Sequence, residues 1–265
     1  MNKSTLRPTA FVLVSTNHGS MLVNRHDYRL VEGGAYGVGH QLLSTSSFDQ
    51  EEVDIALKLL QARRQHFGDG VVAIDCGANI GVHTIEWARF MYGWGEVVAF
   101  EAQERVYYAL CGNITMNNCF NAHAVWAAVG AENGQIAVPV PDYFTPSSFG
   151  SLELRQRENN EFIGQPVDYS LDKTKATPLL ALDGLDMQRL DFMKIDIEGM
   201  EMEALNGARQ QIERFKPQLM IEKIKSNEAE IGGFLADLGY KTFPLGLNLL
   251  AVHESDPVAG EIRIG

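Results

Sequence analysis

Between Val71 and Ala88 the chain reads VVAIDCGANIGVHTIEWA. An apolar run leads to an acid, a turn with two glycines follows, and a segment of helical character comes after it. Such an apolar run is what a strand buried on both faces requires. Glycines admit the left-handed backbone of a tight strand-to-helix turn. The alternation continues: GEVVAFE is a strand, RVYYALCGNITMNN a helix and AHAVWAAV a strand. Later LDFMKID is a strand, EMEALNGARQQIERF a helix, PQLMIEKI a strand and NEAEIGGFLADLG a helix. Strands YKTFPL and NLLAVH close the series, joined at Gly246-Leu247, which predicts an antiparallel pair ending the sheet. Strand and helix in alternation predict an α/β fold, a mostly parallel sheet with helices on both faces.

Upstream, residues 10–24 predict a hairpin turning at Asn17, His18 and Gly19. Residues 31–40 hold four glycines and read as loop. Asp49 stands three residues before Glu52, a capping-box spacing, ahead of a helix with apolar positions Val53, Ala56, Leu57 and Leu60. This divides the chain into an extension at 1–48 and a main domain at 49–265. Residues 139–178 break the alternation with five prolines. An irregular stretch of that length is commonly functional or mobile. Its Tyr143, Phe144, Phe149, Phe162 and Tyr169 suit a lid over an organic substrate; a decorated surface loop is the plainer reading.

The 265 residues carry a net charge of −12. Nucleic-acid binders present a basic field, so no nucleic-acid partner is expected, and Arg155-Gln156-Arg157 reads as a solvated loop. The chain also lacks Asn/Asp-Pro-Pro-Tyr and Pro-Cys, which base methylation uses. No apolar run approaches the roughly 20 residues of a membrane span. The five apolar residues Ala10–Val14 fall short of a signal-peptide core of roughly 7–15. A cytoplasmic protein without a membrane partner is the expectation. Cys76, Cys111 and Cys119 form no CxxC pair, so neither a disulfide framework nor a zinc knuckle is predicted. Self-association as a homodimer is left open.

In an open parallel sheet, ligands bind outside the carboxyl ends of the strands. Asp75, Gly77, Asn79 and Gly81 lie at such an end. The pattern D-x-G-x-N-x-G lacks the third glycine of the dinucleotide fingerprint in register, and an aspartate repels a pyrophosphate. It favours instead a cofactor with a cationic amine and a sulfonium, as in S-adenosylmethionine, with Asp75 accepting from the amino group. Glu101, ending the second strand, suits both hydroxyls of a ribose, a feature shared with NAD sites. An NAD(P)-dependent oxidoreductase and a non-catalytic S-adenosylmethionine-binding module are the competing readings.

VAIDCGANIG, EVVAFEAQ, WAAVG, LDFMKIDIEGMEMEALNGA and PQLMIE together resemble the successive motifs of FkbM-type S-adenosylmethionine-dependent methyltransferases, over roughly residues 49–253. The KIDIEG block is the most specific part. The resemblance implies a class I methyltransferase (Rossmann-like) fold and O-methylation of a hydroxyl on a small-molecule acceptor such as a sugar or polyketide. Asp75, Gly77, Asn79, Gly81 and Glu101 match the cofactor motifs, with Ala128 of WAAVG in the same set. Asp196 and Glu198 match the acids of KIDIEG. His83 and Gln103 depart from the pattern, and the extension and the 139–178 insertion lie outside it.

Within KIDIEG, Lys194, Asp196 and Glu198 alternate with apolar residues, so a strand places the three on one face. A lysine inside a buried strand needs a partner, expected to be a carboxylate at a neighbouring strand tip. Asp196, Glu222 and Lys194 are the catalytic candidates. Asp196 and Glu222 on adjacent tips also suit Mg2+ or Mn2+, which lowers a hydroxyl's pKa. Without metal, Asp196 or one of His40, His83 and His253 serves as base. For Glu198, capping the next helix is the expected role.

Overall fold

The computed structural model describes residues 8–260. Strands β1 (Phe11–Thr16) and β2 (Gly19–Asn24) form the expected hairpin. Residues 31–40 are not a simple loop. They contribute to a second hairpin, β3 (Arg29–Val31) with β4 (Gly34–Tyr36), and to helix α1 (Val38–Thr45). The glycines turn the chain: Gly33 has φ +89°, and Gly37 (φ +149°) passes so close to Asp27 that a Cβ would lie 2.5 Å from its carbonyl oxygen. Helix α2 (Gln50–Phe67) starts where the capping-box spacing placed it, but Asp49 sits in left-handed geometry (φ 41°) and makes no side-chain cap.

The main domain follows. It comprises β5 (Val71–Cys76), α3 (Val82–Phe90), β6 (Gly95–Glu101), α4 (Glu104–Met116) and β7 (Ala122–Trp126). Then come β8 (Ala128–Val129), β9 (Gly134–Pro139), β10 (Thr174–Leu180) and β11 (Phe192–Ile195). Helices α5 (Glu201–Gly207) and α6 (Arg209–Phe215), strand β12 (Gln218–Glu222), helix α7 (Glu228–Asp237) and strands β13 (Tyr240–Leu245) and β14 (Asn248–His253) complete it. Seven strands form one sheet in the order β13-β14-β12-β11-β5-β6-β7. Its pairings from β12 to β7 are parallel, and β14 lies antiparallel between β12 and β13. This is the class I methyltransferase arrangement. Strand order reverses between β5 and β11, which opens a crevice at their carboxyl ends.

Two predicted elements are divided. AHAVWAAV breaks at Ala127, and its second part, β8, joins a separate small sheet of order β8-β10-β9. The long helix 201–215 breaks at Ala208 into α5 and α6. The irregular insertion is the connection 140–173, because Pro139 pairs with Thr174 and Pro178 with Gln135 inside the small sheet. One core packs α5, α6 and α7 against the sheet through Leu205, Ile212, Ile231 and Leu235. The other packs α2, α3 and α4 on the opposite face through Leu60, Ile85, Trp87 and Val106. Among the described residues no helix is long and apolar enough to cross a membrane.

Candidate functional site

The turn after β5 is built from three left-handed residues, Gly77 (φ +81°), Asn79 (φ +52°) and Gly81 (φ +93°). The N–H groups of Gly77 and Ala78 both donate to the carbonyl of Phe100 (3.0 and 2.9 Å), which fastens the turn to β6. Asp75, 1% exposed, ends up beneath it. One of its oxygens accepts from the Thr84 hydroxyl at 2.6 Å, and the other, Oδ1, has no protein partner. Burial raises the Asp75 carboxyl above the usual range, and Lys194 pulls it back. A buried carboxylate oxygen left unpaired costs free energy, and a cationic amine bound here relieves it. Glu101 accepts from the Asn79 N–H (2.9 Å) and the Gln103 N–H (2.8 Å), one on each oxygen. Each oxygen keeps a lone pair. Burial pushes this carboxyl up to about 7.

At the neighbouring tip, β11 ends at Ile195, one residue before Asp196. Lys194 is buried, 4% exposed, and its Nζ lies 2.6 Å from Asp196 Oδ2 and 4.0 Å from Glu52 Oε1 of α2. Its partner is therefore the acid two residues along its own chain, backed by a helix acid, rather than one on a neighbouring strand tip. Asp196, Glu52 and Asp75 outweigh burial and raise the lysine above its usual value. Glu198 does not share a strand face with Lys194 and Asp196: it has left-handed backbone (φ 57°) beyond the strand. Nor does it cap α5. Its carboxylate pairs with Lys225, while Glu201 accepts the N–H groups of Ile197 (3.2 Å) and Gly199 (3.0 Å). Glu222 ends β12, with Oε2 buried and unpartnered. Asp196, Glu198 and Glu222 each offer an oxygen within 4.8 Å of the others. Burial first, then the neighbouring acids, push Glu198 up to about 8 and Glu222 up to about 9.

Asp75, Gly77, Asn79, Glu101, Ala128, Lys194, Asp196 and Glu222 all line one cavity of about 1210 Å³, counted with its open mouth. Its lining joins the β5 turn and Glu101 to the acid tips of β11 and β12, so one concave site presents both sets of polar groups. Gly81 is not on the wall; it starts α3, and a Cβ there would meet Leu110 at 2.5 Å. Of the three histidines only His83 faces the cavity, with Nε2 3.4 Å from Glu52. Burial, then Lys194, hold it well below its ordinary value, so the imidazole is neutral. None of the five insertion aromatics lines the cavity; the insertion meets it through Ser148, Gly150, Leu152 and Leu154. The sequence reading missed Tyr36, Asp49 and Glu52, which the N-terminal segment and α2 bring to the acids. The hydroxyl of Tyr36 is raised to about 12 by burial and by Glu198, Asp196 and Glu222.

Residues 75–242 match the model of the methyltransferase FkbM domain. Methyltransferase 1 of Beauveria bassiana (strain ARSEF 2860) is 22% identical over 154 residues, 53% of this chain and 59% of that protein. Methyltransferase sdnD of Sordaria araneosa is 23% identical over 192 residues, 63% of this chain and 72% of that one. The crystal structure of methyltransferase FkbM from Methylobacillus flagellatus KT superposes with a TM-score of 0.48 at 19% identity, covering 70% of this chain and 43% of that one. The chain thus spans less than two thirds of the Beauveria protein and of the Methylobacillus chain. The family match takes in more than half of the chain, and the protein belongs to the FkbM methyltransferase domain family.

Proposed function

We propose that this protein is an S-adenosylmethionine-dependent methyltransferase acting on a hydroxyl of a small molecule. The observation that carries the reading is the unpartnered Asp75 oxygen in the same cavity as the acids of the β11 and β12 tips. S-adenosylmethionine, when bound, supplies an electrophilic methyl on a sulfonium. Asp75 accepts from its amino group, and Glu101 offers its remaining lone pairs to the ribose. A pyrophosphate beside Asp75 is repelled, which sets the reading apart from an NAD(P) oxidoreductase.

At the acid end, Asp196 holds the acceptor hydroxyl and takes its proton as the methyl is transferred. Lys194 steadies the Asp196 carboxylate in place. Glu222, pushed up to about 9, keeps a proton near neutrality and orients the acceptor as a donor. Holding both reactants in one cavity in line supplies much of the rate. The chemistry of Asp196, Glu198 and Glu222 also suits a hard divalent cation such as Mg2+ or Mn2+. Those three residues would hold it, and it would acidify the acceptor hydroxyl. Lys194 already neutralises Asp196 and Lys225 occupies Glu198, which favours the proton-transfer reading.

Calorimetric titration with S-adenosylmethionine and with NAD+ tests the cofactor; binding of NAD+ alone overturns the proposal. Incubation with methyl-labelled S-adenosylmethionine and a panel of hydroxylated metabolites, read by mass spectrometry, tests the acceptor atom. Label found on nitrogen or carbon, and not on oxygen, would refute O-methylation.

A further inference from the structure

The stretch by which the insertion reaches the cavity begins with a short strap, residues 147–150, and continues to Leu152 and Leu154. Ser148 and Gly150 line the wall. Gly150 lies against the β5 turn, where a Cβ would come 2.8 Å from the Asn79 side-chain amide. The carbonyl of Phe149 accepts from Gln103 Nε2 at 2.8 Å, and the Tyr143 hydroxyl donates to Gln103 Oε1 at 3.2 Å. Asn79 and Gln103 are the residues whose backbone N–H groups hold Glu101. The strap is thus fitted to the face that surrounds the Glu101 carboxylate.

Its other side is held by Asp27, which is 4% exposed. One Asp27 oxygen accepts the Phe149 N–H and the other accepts the Gly39 N–H in the first turn of α1, each at 3.0 Å. Asp27 and Ser147 form an isolated parallel bridge, and the Ser147 N–H donates to the His26 carbonyl at 2.9 Å. One buried carboxylate therefore ties the insertion to the N-terminal segment across more than a hundred residues. A carboxylate is expensive to bury, and here it accepts from a backbone N–H of each segment, beside the Ser147 N–H to His26 carbonyl bond and the Asn24 side-chain amide donating to the Tyr143 carbonyl at 3.0 Å.

We infer that Asp27 is a positioning residue for the nucleoside half of the cofactor, setting the 147–150 strap as the wall beside Glu101. The inference rests on the reading of Glu101 as the ribose partner. Asp27 lies outside the family match at 75–242, and the inference gives the extension a part in cofactor binding. A wall already in place lowers the ordering cost of binding.

The test uses two ligands, S-adenosylhomocysteine and 5′-methylthioadenosine; the second keeps the nucleoside and lacks the amino-acid group. Asp27→Ala weakens both by the same factor, about tenfold, the scale of losing charge-assisted contacts. Asp27→Asn, which keeps one acceptor oxygen, recovers part of the loss. Tyr143→Phe weakens both less, and Asp75→Ala, at the other half of the site, weakens S-adenosylhomocysteine alone. If Asp27→Ala does not fold, Tyr143→Phe decides, because its ring keeps its place beside Phe149 (centroids 4.8 Å apart). Wild-type affinities in the Asp27 and Tyr143 variants overturn the inference, and so does a loss confined to S-adenosylhomocysteine. A wild-type protein that binds neither ligand overturns the cofactor reading itself.

Discussion

Gly77 and Asp196 meet backbone to backbone: a Cβ on Gly77 would lie 1.8 Å from the Asp196 carbonyl oxygen. The Asp196 N–H in turn donates to the Cys76 carbonyl at 3.0 Å. The turn after β5 and the acid tip are therefore packed together through their backbones. Gly77→Ala meets a clash with backbone, which cannot swing away, and a φ of +81° that alanine resists. Strain of this kind costs about 1–3 kcal/mol, and the forced shift of Asp196 adds to it. Urea unfolding should show a lower midpoint, and titration a weaker affinity for S-adenosylmethionine. A variant with wild-type values in both would mean that the two loops yield independently.

Asp75→Ala removes the acceptor proposed for the cofactor's amino group and the partner of the Thr84 hydroxyl. The expected loss in S-adenosylmethionine affinity is roughly 1.5–3 kcal/mol, about tenfold or more. Circular dichroism should report an intact fold, since the apolar β5 run VVAI is untouched. Unchanged affinity would place the amino group elsewhere.

The acids of the cavity make stability fall as pH rises. Glu101, Glu198 and Glu222 stand at about 7, 8 and 9 in the folded chain, against an ordinary 4.5. Below pH 4.5 both folded and unfolded chains hold these protons, and nothing changes. Above it the unfolded chain releases them first, so the folded state binds more protons and loses stability with each step of pH. The fall ends once Glu222 itself ionises. His83, lowered from 6.5, works in the opposite direction below that value, which makes pH 7 to 9 the informative window. The urea midpoint should drop across it, and Glu222→Gln should flatten the drop. A midpoint that rises over this window in wild type would contradict the burial of these carboxyls.

Much of this was legible in the sequence because it is local. VVAID, GEVVAFE and PQLMIE are apolar runs ending in acids, and a parallel sheet sends such ends to one edge. Asp75, Glu101 and Glu222 follow from those three runs, and Asp196 from the similar run LDFMKID. Asp49 and Glu52 show where local reading stops. Their spacing resembles a capping box, yet Asp49 turns left-handed and Glu52 accepts from Asn248 at 2.8 Å, a residue 196 positions away. The long-range partner, with Lys194 near it, outweighs the cap. The same holds for Tyr36, whose segment reads as glycine-rich loop, and for Asp27, which no motif in the sequence singles out. Among the insertion aromatics, Tyr143 and Phe149 pack on each other at a tilt, with Phe149 inside the strap. Polar pairs across such distances leave no period in a sequence.

Asp196 is the residue on which the proposed chemistry turns. An alcohol is a weak nucleophile near neutral pH, so its proton must be taken or its oxygen activated. Asp196 is the partly exposed member of the Lys194 pair, with its side chain 32% exposed against 4% for the lysine. It can reach an acceptor while Lys194 holds it. Asp196→Asn keeps the size and removes the charge. The expected result is S-adenosylmethionine affinity near wild type and a kcat lower by ~10²-fold or more, the scale of a lost general base. Some stability is lost as well, because Lys194 stays buried with Glu52 and Asp75 as its remaining acids. If a divalent cation bridges Asp196 and Glu222, Glu222→Gln should match the loss in kcat, and a chelator should abolish wild-type activity. Activity that survives the chelator leaves Asp196 as the base. An Asp196→Asn enzyme that turns over at the wild-type rate leaves it neither role, and its carboxylate would then serve only to neutralise Lys194.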